Sequence, residues 1–143
     1  MFRRVIASLC LLASTSCVAR AGRIEVQQGS GPRTVDFIYV PPAGAEAVQL
    51  RVIQVDGGPF QPRGRGSGIH AYVWYVAGMG ATAPQGRTVI HFGDVPPGMV
   101  EAQPAQALGP GRYSVTIRAG RFNAMAEFLV APDGRVEAIK QPT

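Results

Sequence analysis

The chain has few of the residues on which covalent cross-links, metal sites and catalysis usually depend. Its 143 residues include two cysteines, two histidines and one lysine, and charged residues make up 16% of the total. Cys10 lies in an apolar N-terminal run, so Cys17 is the one cysteine that can remain once that run is removed. A disulfide, a zinc–thiolate site and a cysteine nucleophile are therefore excluded. Stability must come from packing of apolar side chains.

Positive charge is concentrated at the N-terminus. The formal net charge is +5, but Arg3, Arg4 and Arg20 lie in the first 21 residues and no acid does. The rest of the chain holds 11 cations against 9 acids, scattered along its length. So small a charge gives no electrostatic footprint for nucleic acid. We expect no nucleic-acid partner.

The first 21 residues are typical of a secretory signal sequence. Arg3 and Arg4 precede an apolar run over residues 5–13, and small residues follow. The run is shorter than the roughly 20 residues needed to span a bilayer. We therefore expect an exported protein, with a signal sequence over residues 1–21 and a single folded domain over residues 22–143.

Two routes of processing are compatible with this signal. Residues 19–21, Ala-Arg-Ala, fit ordinary signal peptidase and would give a mature start at Gly22. Residues 13–17, Ala-Ser-Thr-Ser-Cys, resemble a relaxed bacterial lipobox that ends at Cys17, although Ser14 replaces the usual large aliphatic residue. Lipidation of Cys17 would anchor the protein to a membrane, and Val18 after the cysteine favours the outer membrane. We prefer the lipoprotein interpretation and leave cleavage after Ala21 open.

Glycine and proline are abundant, with 18 and 12 residues, all after Arg20. Apolar residues alternate with polar ones between these breakers, which is the pattern of half-buried strands, and no segment shows a helical repeat over ten residues. Seven or eight short strands at this spacing indicate an all-β antiparallel sandwich or barrel. The strand candidates are residues 23–27, 34–40, 47–55, 69–77, 87–92, 112–119, 122–130 and 135–139.

The strands at 112–119 and 122–130 allow a prediction of register. If Ala119 and Gly120 form a two-residue turn, apolar side chains sort to one face and polar ones to the other. Arg112 then lies opposite Glu127 on the outer face. The inward pairs are Ile117–Phe122, Val115–Ala124 and Tyr113–Ala126.

Residues 108–115, Leu-Gly-Pro-Gly-Arg-Tyr-Ser-Val, resemble the entry to a late strand in bacterial immunoglobulin-like and fibronectin-type-III-like domains. The resemblance implies an antiparallel immunoglobulin-like β-sandwich of seven to eight strands, in which the Tyr113 hydroxyl bonds back to the preceding turn. Val115 stands where immunoglobulin domains keep their second cysteine, so the disulfide version is excluded. The resemblance concerns the fold alone, because such sandwiches have many functions.

Candidate catalytic and metal-binding residues do not form sets. His70 and His91 lie in predicted strands without a nearby third ligand. No serine has a G-x-S-x-G sequence around it, and the acids lie at turns or strand edges. We expect no metal, no cofactor and no catalytic residue.

A glycine-rich segment at residues 57–68 is the first feature suited to contacting a partner. It contains Phe60, Arg63 and Arg65. Guanidinium groups in a loop of this length can pair with carboxylates or phosphates of a partner. The alternative is a hairpin connection kept soluble by its charge.

The strand at residues 69–77 is the second such feature. Strict alternation places His70, Tyr72 and Trp74 on one face, an aromatic row of the kind that stacks on sugar rings or anchors a protein interface. The alternative is a central strand that is buried on both sides.

These features predict a non-catalytic binding or assembly module of the bacterial cell envelope, located in the periplasm or anchored to the outer membrane. It would engage an envelope protein through the 57–68 loop and the neighbouring strand. The alternative is recognition of a polysaccharide or small ligand on the face of His70, Tyr72 and Trp74. A small hydrolase is a more distant third interpretation.

Overall fold

The computed structural model describes residues 22–45, 48–58, 72–78, 82–83 and 87–140. These residues form ten strands and no α-helix. The strands are β1 (Arg23–Gln28), β2 (Val35–Val40), β3 (Val48–Gly57), β4 (Tyr72–Gly78), β5 (Thr82–Ala83), β6 (Thr88–His91), β7 (Met99–Gln103), β8 (Gly111–Ala119), β9 (Phe122–Val130) and β10 (Val136–Ile139).

The strands form two antiparallel sheets. The small sheet has the order β1-β2-β6, and the large sheet has the order β10-β9-β8-β3-β4-β7. The two-residue β5 pairs with the start of β3, beyond the end of β4. Aromatic rings from the two sheets are in contact: the ring centroids of Phe37 on β2 and Phe128 on β9 lie 5.7 Å apart. The predicted all-β, antiparallel two-sheet architecture is confirmed.

The core is formed by the apolar residues that alternate with polar ones along the strands. Tyr113, Val115 and Ile117 on β8 are fully buried, while Arg112 and Arg118 on the same strand are exposed. Each large apolar side chain removed from water contributes roughly 1.5–3 kcal/mol. The small sheet adds Val35, Phe37, Tyr39 and Ile90 to this core, and the large sheet adds among others Ile53, Val55, Val76, Phe128 and Val130.

All eight predicted strands are present, and their boundaries differ by at most two residues where the structure describes them. Two strands were not predicted. Met99 is the one buried side chain of the edge strand β7, and Val100 beside it is 69% exposed. A strand with one buried residue shows no apolar alternation. β5 has only two residues, too few to produce a pattern.

The predicted register of the β8–β9 hairpin is wrong by two residues. Ala119 pairs with Phe122, so the turn consists of Gly120 and Arg121. Gly120 takes the left-handed conformation, with φ of +55°, at the first turn position. A shift of two preserves the face of every side chain, so the inward and outward assignments are confirmed. The observed inward pairs are Tyr113–Phe128, Val115–Ala126 and Ile117–Ala124.

The observed register explains why Tyr113 is buried. Its ring stacks on Phe128, with centroids 5.4 Å apart. Its hydroxyl donates a hydrogen bond to the Gly109 carbonyl oxygen at 2.8 Å, which is the predicted bond to the preceding turn. Gly58 lies against the same ring, where a Cβ atom would come 2.6 Å from the tyrosine oxygen. Tyr113 therefore ties the start of β8 to the end of β3.

Candidate functional site

The structure describes two of the seven residues that the sequence predicts to carry a lipid or to contact a partner. Cys17, Phe60, Arg63, Arg65 and His70 lie outside the described residues. Their roles therefore stay predictions. The structure describes the two remaining residues, which belong to the predicted aromatic row.

Trp74 is buried completely, with 0% of its surface exposed. Its ring meets Phe92 edge-on at 5.3 Å. Its indole Nε1–H donates a hydrogen bond of 3.0 Å to the Glu101 carboxylate on β7. The prediction of an exposed aromatic row is wrong at Trp74, which faces the core. Trp74 is part of the core and offers no ring face to a ligand.

A β-bulge in β4 is the physical reason. Val55 lies opposite Trp74, but the next residue of β3, Asp56, lies opposite Tyr72. Val73 is therefore an extra residue without a partner position. One additional residue reverses the alternation of a strand, so Val73 and Trp74 are both buried. Tyr72 consequently shares the outer face with Tyr75, although strict alternation would place the two residues on opposite faces.

The two tyrosines form a contact on the outer face of the large sheet. Their ring centroids lie 4.8 Å apart with an angle of 32° between the planes, and both side chains are half-buried. Beside them on the neighbouring strand β3, the Gln54 amide donates a 2.7 Å hydrogen bond to the Asp56 carboxylate. Gln103 on β7 lies opposite Tyr75 on the other side. An aromatic pair is thus surrounded by amide and carboxylate groups.

Three exposed apolar side chains lie on the same outer face as this pair. Val100 on β7 is 69% exposed, and Met125 and Leu129 on β9 are 59% and 41% exposed. All three project from the same outer face, as their pairing with outward residues shows. They are three of the five exposed large hydrophobic residues that the described part of the chain contains. Apolar side chains collected on one face mark an interaction surface more often than scattered ones do.

We define the outer face by seven residues on four strands. Tyrosine, methionine and amide side chains of this kind are typical of protein interfaces. The residues are Gln54, Asp56, Tyr72, Tyr75, Val100, Gln103 and Met125.

The small sheet on the opposite side of the molecule carries several ion pairs. On the small sheet, Glu25 forms salt bridges with Arg23 and Arg87. His91 Nδ1 lies 2.7 Å from the Asp36 carboxylate. The hydrogen bond to Asp36, with the charge of that carboxylate, raises the pKa of His91 above its ordinary value. All of these groups are partly or largely exposed, so this surface is a solvated, charged one.

Sequence reasoning missed Tyr75, Gln54 and Gln103 as members of the outer face. The signal that could have found Tyr75 is the adjacent pair of large apolar residues, Val73 and Trp74. Two such neighbours cannot both face one side of a regular strand, and burial of both requires a bulge or a covered second face.

Comparisons with known proteins do not indicate a function, so the function is inferred from the residues described above. No protein-family model, curated protein or solved structure matches the chain. Within the described ranges, no group of three or more His, Cys, Asp or Glu residues could hold a metal ion. The same ranges contain no helix that is long and apolar enough to cross a membrane.

Proposed function

We propose that this protein is a non-catalytic binding module of the bacterial cell envelope, and that the outer face of its large sheet contacts a partner protein. The observation that carries the proposal is the pair of touching tyrosines, Tyr72 and Tyr75, flanked by exposed aliphatic side chains. Tyrosines anchor protein interfaces because each contributes a large apolar ring and a polar hydroxyl at low entropic cost.

The geometry favours a protein over a polysaccharide. A sugar platform needs open ring faces, whereas Tyr72 and Tyr75 approach each other with only 32° between their planes, so each covers part of the other. Val100 and Met125 lie several strands apart across the face, and the polar Gln54 and Thr116 lie between Met125 and Tyr75. A mixed apolar and polar surface of this breadth suits a protein partner.

The topology supports an immunoglobulin-like type of sandwich. Such domains place strands A, B and E in one sheet and G, F and C in the other, with C′ added beside C. The orders β1-β2-β6 and β9-β8-β3-β4 correspond to these two sets. The bonded Tyr113 lies near the start of β8, in the position of strand F. β7 and β10 would then be additions at the two edges of the large sheet.

Export and lipid anchoring at Cys17 complete the proposal. They rest on the charged, apolar and small-residue pattern of residues 1–21. A lipid-anchored module that contacts a second envelope protein through this face would hold that protein close to the membrane surface.

Site-specific photo-crosslinking in living cells tests the proposal. A photoreactive phenylalanine derivative replaces Tyr75 in one variant and Met125 in another. Val89, which is 52% exposed on the small sheet, provides the matched control. We expect one discrete protein adduct from positions 75 and 125 and none from position 89.

Three results would contradict this expectation. They are the absence of an adduct from positions 75 and 125, equal adducts from all three positions, and an adduct with a polysaccharide. An adduct whose mass equals two copies of the chain would show that the outer face binds a second copy of this chain and not a different protein.

A further inference from the structure

A basic recess lies at one end of the large sheet. Arg51 and Val52 on β3 and Arg118 on β8 line it, together with Gly78 and Gly120, and its volume is about 440 Å³. Binding sites for small ligands usually have volumes of about 300–1,000 Å³. The recess is therefore large enough for a small charged group.

A second β-bulge brings the two arginines together. Leu50 pairs with Ala119, and Val52 pairs with Arg118, so Arg51 is an extra residue on β3. In a regular strand Leu50 and Val52 would share one face, and Arg51 would point to the opposite face. The bulge instead allows Arg51 to line the same recess as Arg118. Bulges that redirect one side chain are frequent beside functional sites.

The charge of the two arginines is not neutralised within the described residues. Other arginines there do form ion pairs, for example Arg112 with Glu127 at 2.7 Å and Arg135 with Asp133 at 2.7 Å. Arg51 and Arg118 appear in none of the five salt bridges of the described residues. Both side chains are exposed, so their guanidinium groups are accessible to an anion from solvent.

Two glycines complete the lining of the recess. Gly78 and Gly120 both have positive φ, at 135° and 55°, a conformation that favours glycine. A Cβ atom would face the backbone of Gly98 and Met99 at the first position and the Val48 side chain at the second. The chemistry that the recess offers an anion therefore comes from its two guanidinium groups.

We propose that the recess of Arg51 and Arg118 binds a phosphate group. The planar guanidinium presents N–H donors in a fork that matches the oxygens of a phosphate, and two forks can satisfy three oxygens together. Phosphate binding here does not require the partner protein proposed above, because the tyrosine pair is not among the residues that line the recess. The phosphate can come from a phospholipid headgroup or from a soluble phosphate compound.

NMR titration of the full-length chain in non-ionic detergent tests the proposal. Inorganic phosphate is added at constant ionic strength, with chloride as the replaced anion. We expect the Arg51 and Arg118 Nε–Hε signals to shift in a saturable way. Arg51→Gln and Arg118→Gln should each weaken the apparent Kd for phosphate by about tenfold, and both together should abolish binding.

Arg33→Gln is the matched control. Arg33 is an exposed cation without an ion pair among the described residues, and it contacts Gly134 at the other end of β9. Its replacement changes the net charge equally and should leave phosphate affinity unchanged. The proposal is overturned if chloride reproduces the shifts, if the double variant binds as well as the wild type, or if Arg33→Gln weakens binding as much.

A second titration distinguishes the sources of phosphate. The probes are glycerol 3-phosphate and the short-chain lipid dihexanoyl phosphatidylglycerol. Tighter binding of the lipid, lost in the double variant, supports a headgroup as the ligand. Tighter binding of glycerol 3-phosphate with the same loss supports a soluble phosphate compound. Failure of both probes to shift the two arginines contradicts the proposal.

Discussion

Burial of Trp74 gives the sharpest prediction for the fold. Its side chain is 0% exposed, packs edge-on against Phe92 and donates to Glu101 at 3.0 Å. Removing a buried aromatic side chain costs about 3–5 kcal/mol, through lost burial and the cavity left behind. For a domain of this size each 1 kcal/mol shifts the melting temperature by roughly 3–5 °C. Trp74→Ala should therefore lower the melting temperature by about 10–20 °C.

Fluorescence measures the same burial without a mutation. Trp74 is the one tryptophan of the chain, so the emission reports on a single indole. We expect emission at short wavelength and weak quenching by iodide, because the indole has no contact with water.

Glu101→Ala leaves the indole N–H without its acceptor and should lower the free energy of unfolding by about 1–3 kcal/mol. Tyr75→Ala, on the outer face, is the control and should cost clearly less than Trp74→Ala. Long-wavelength emission, ready quenching by iodide or a melting temperature unchanged in Trp74→Ala would refute the bulge assignment.

Three further predictions concern other parts of the chain. Tyr113→Phe should lower the free energy of unfolding by about 1 kcal/mol, because one hydrogen bond to Gly109 is lost, and an unchanged denaturation midpoint would contradict this role. Because Asp36 raises the pKa of His91 in the folded protein, the pair stabilises the fold below the ordinary pKa of 6.5 and loses that contribution as pH rises through the folded value. Asp36→Asn should lower the His91 pKa in an NMR titration, and an unchanged pKa would refute the pairing. Cys17→Ala should release the protein from membranes, whereas an unlipidated mature start at Gly22, found by intact mass, would show ordinary secretion instead.

The strands could be predicted because their burial alternates. β9 has the predicted bounds, since Ala124, Phe128 and Val130 face the core while exposed residues separate them. Tyr113 could be predicted too, because the turn before it has a recognisable sequence of glycine and proline. These features are local, and local patterns are legible in a single sequence.

The hairpin register could not be predicted to within two residues. Turns at Ala119-Gly120 and at Gly120-Arg121 sort the same side chains to the same faces, because a shift of two preserves alternation. What separates the two registers is the stacking of Tyr113 on Phe128 and the φ of Gly120, which are properties of the folded hairpin.

The outer face and the basic recess could not be predicted because both depend on bulges. The bulge at Val73 moves Tyr75 outward, and the bulge at Arg51 turns that side chain toward Arg118. A bulge inserts one residue and reverses the alternation on which sequence analysis relies. The arginines also lie far apart in sequence, so only the pairing of β3 with β8 brings them together.

Hydroxyl-radical footprinting tests the central claim, that the outer face of the large sheet is covered by a partner protein, most directly. The protein is labelled once in intact cells and once after purification, and modification is read residue by residue by mass spectrometry. Met125 and Tyr75 should be modified strongly in the purified protein and protected in cells, while Val89 on the small sheet should be modified equally in both. Equal modification of Met125 and Tyr75 in cells and in purified protein would contradict the claim.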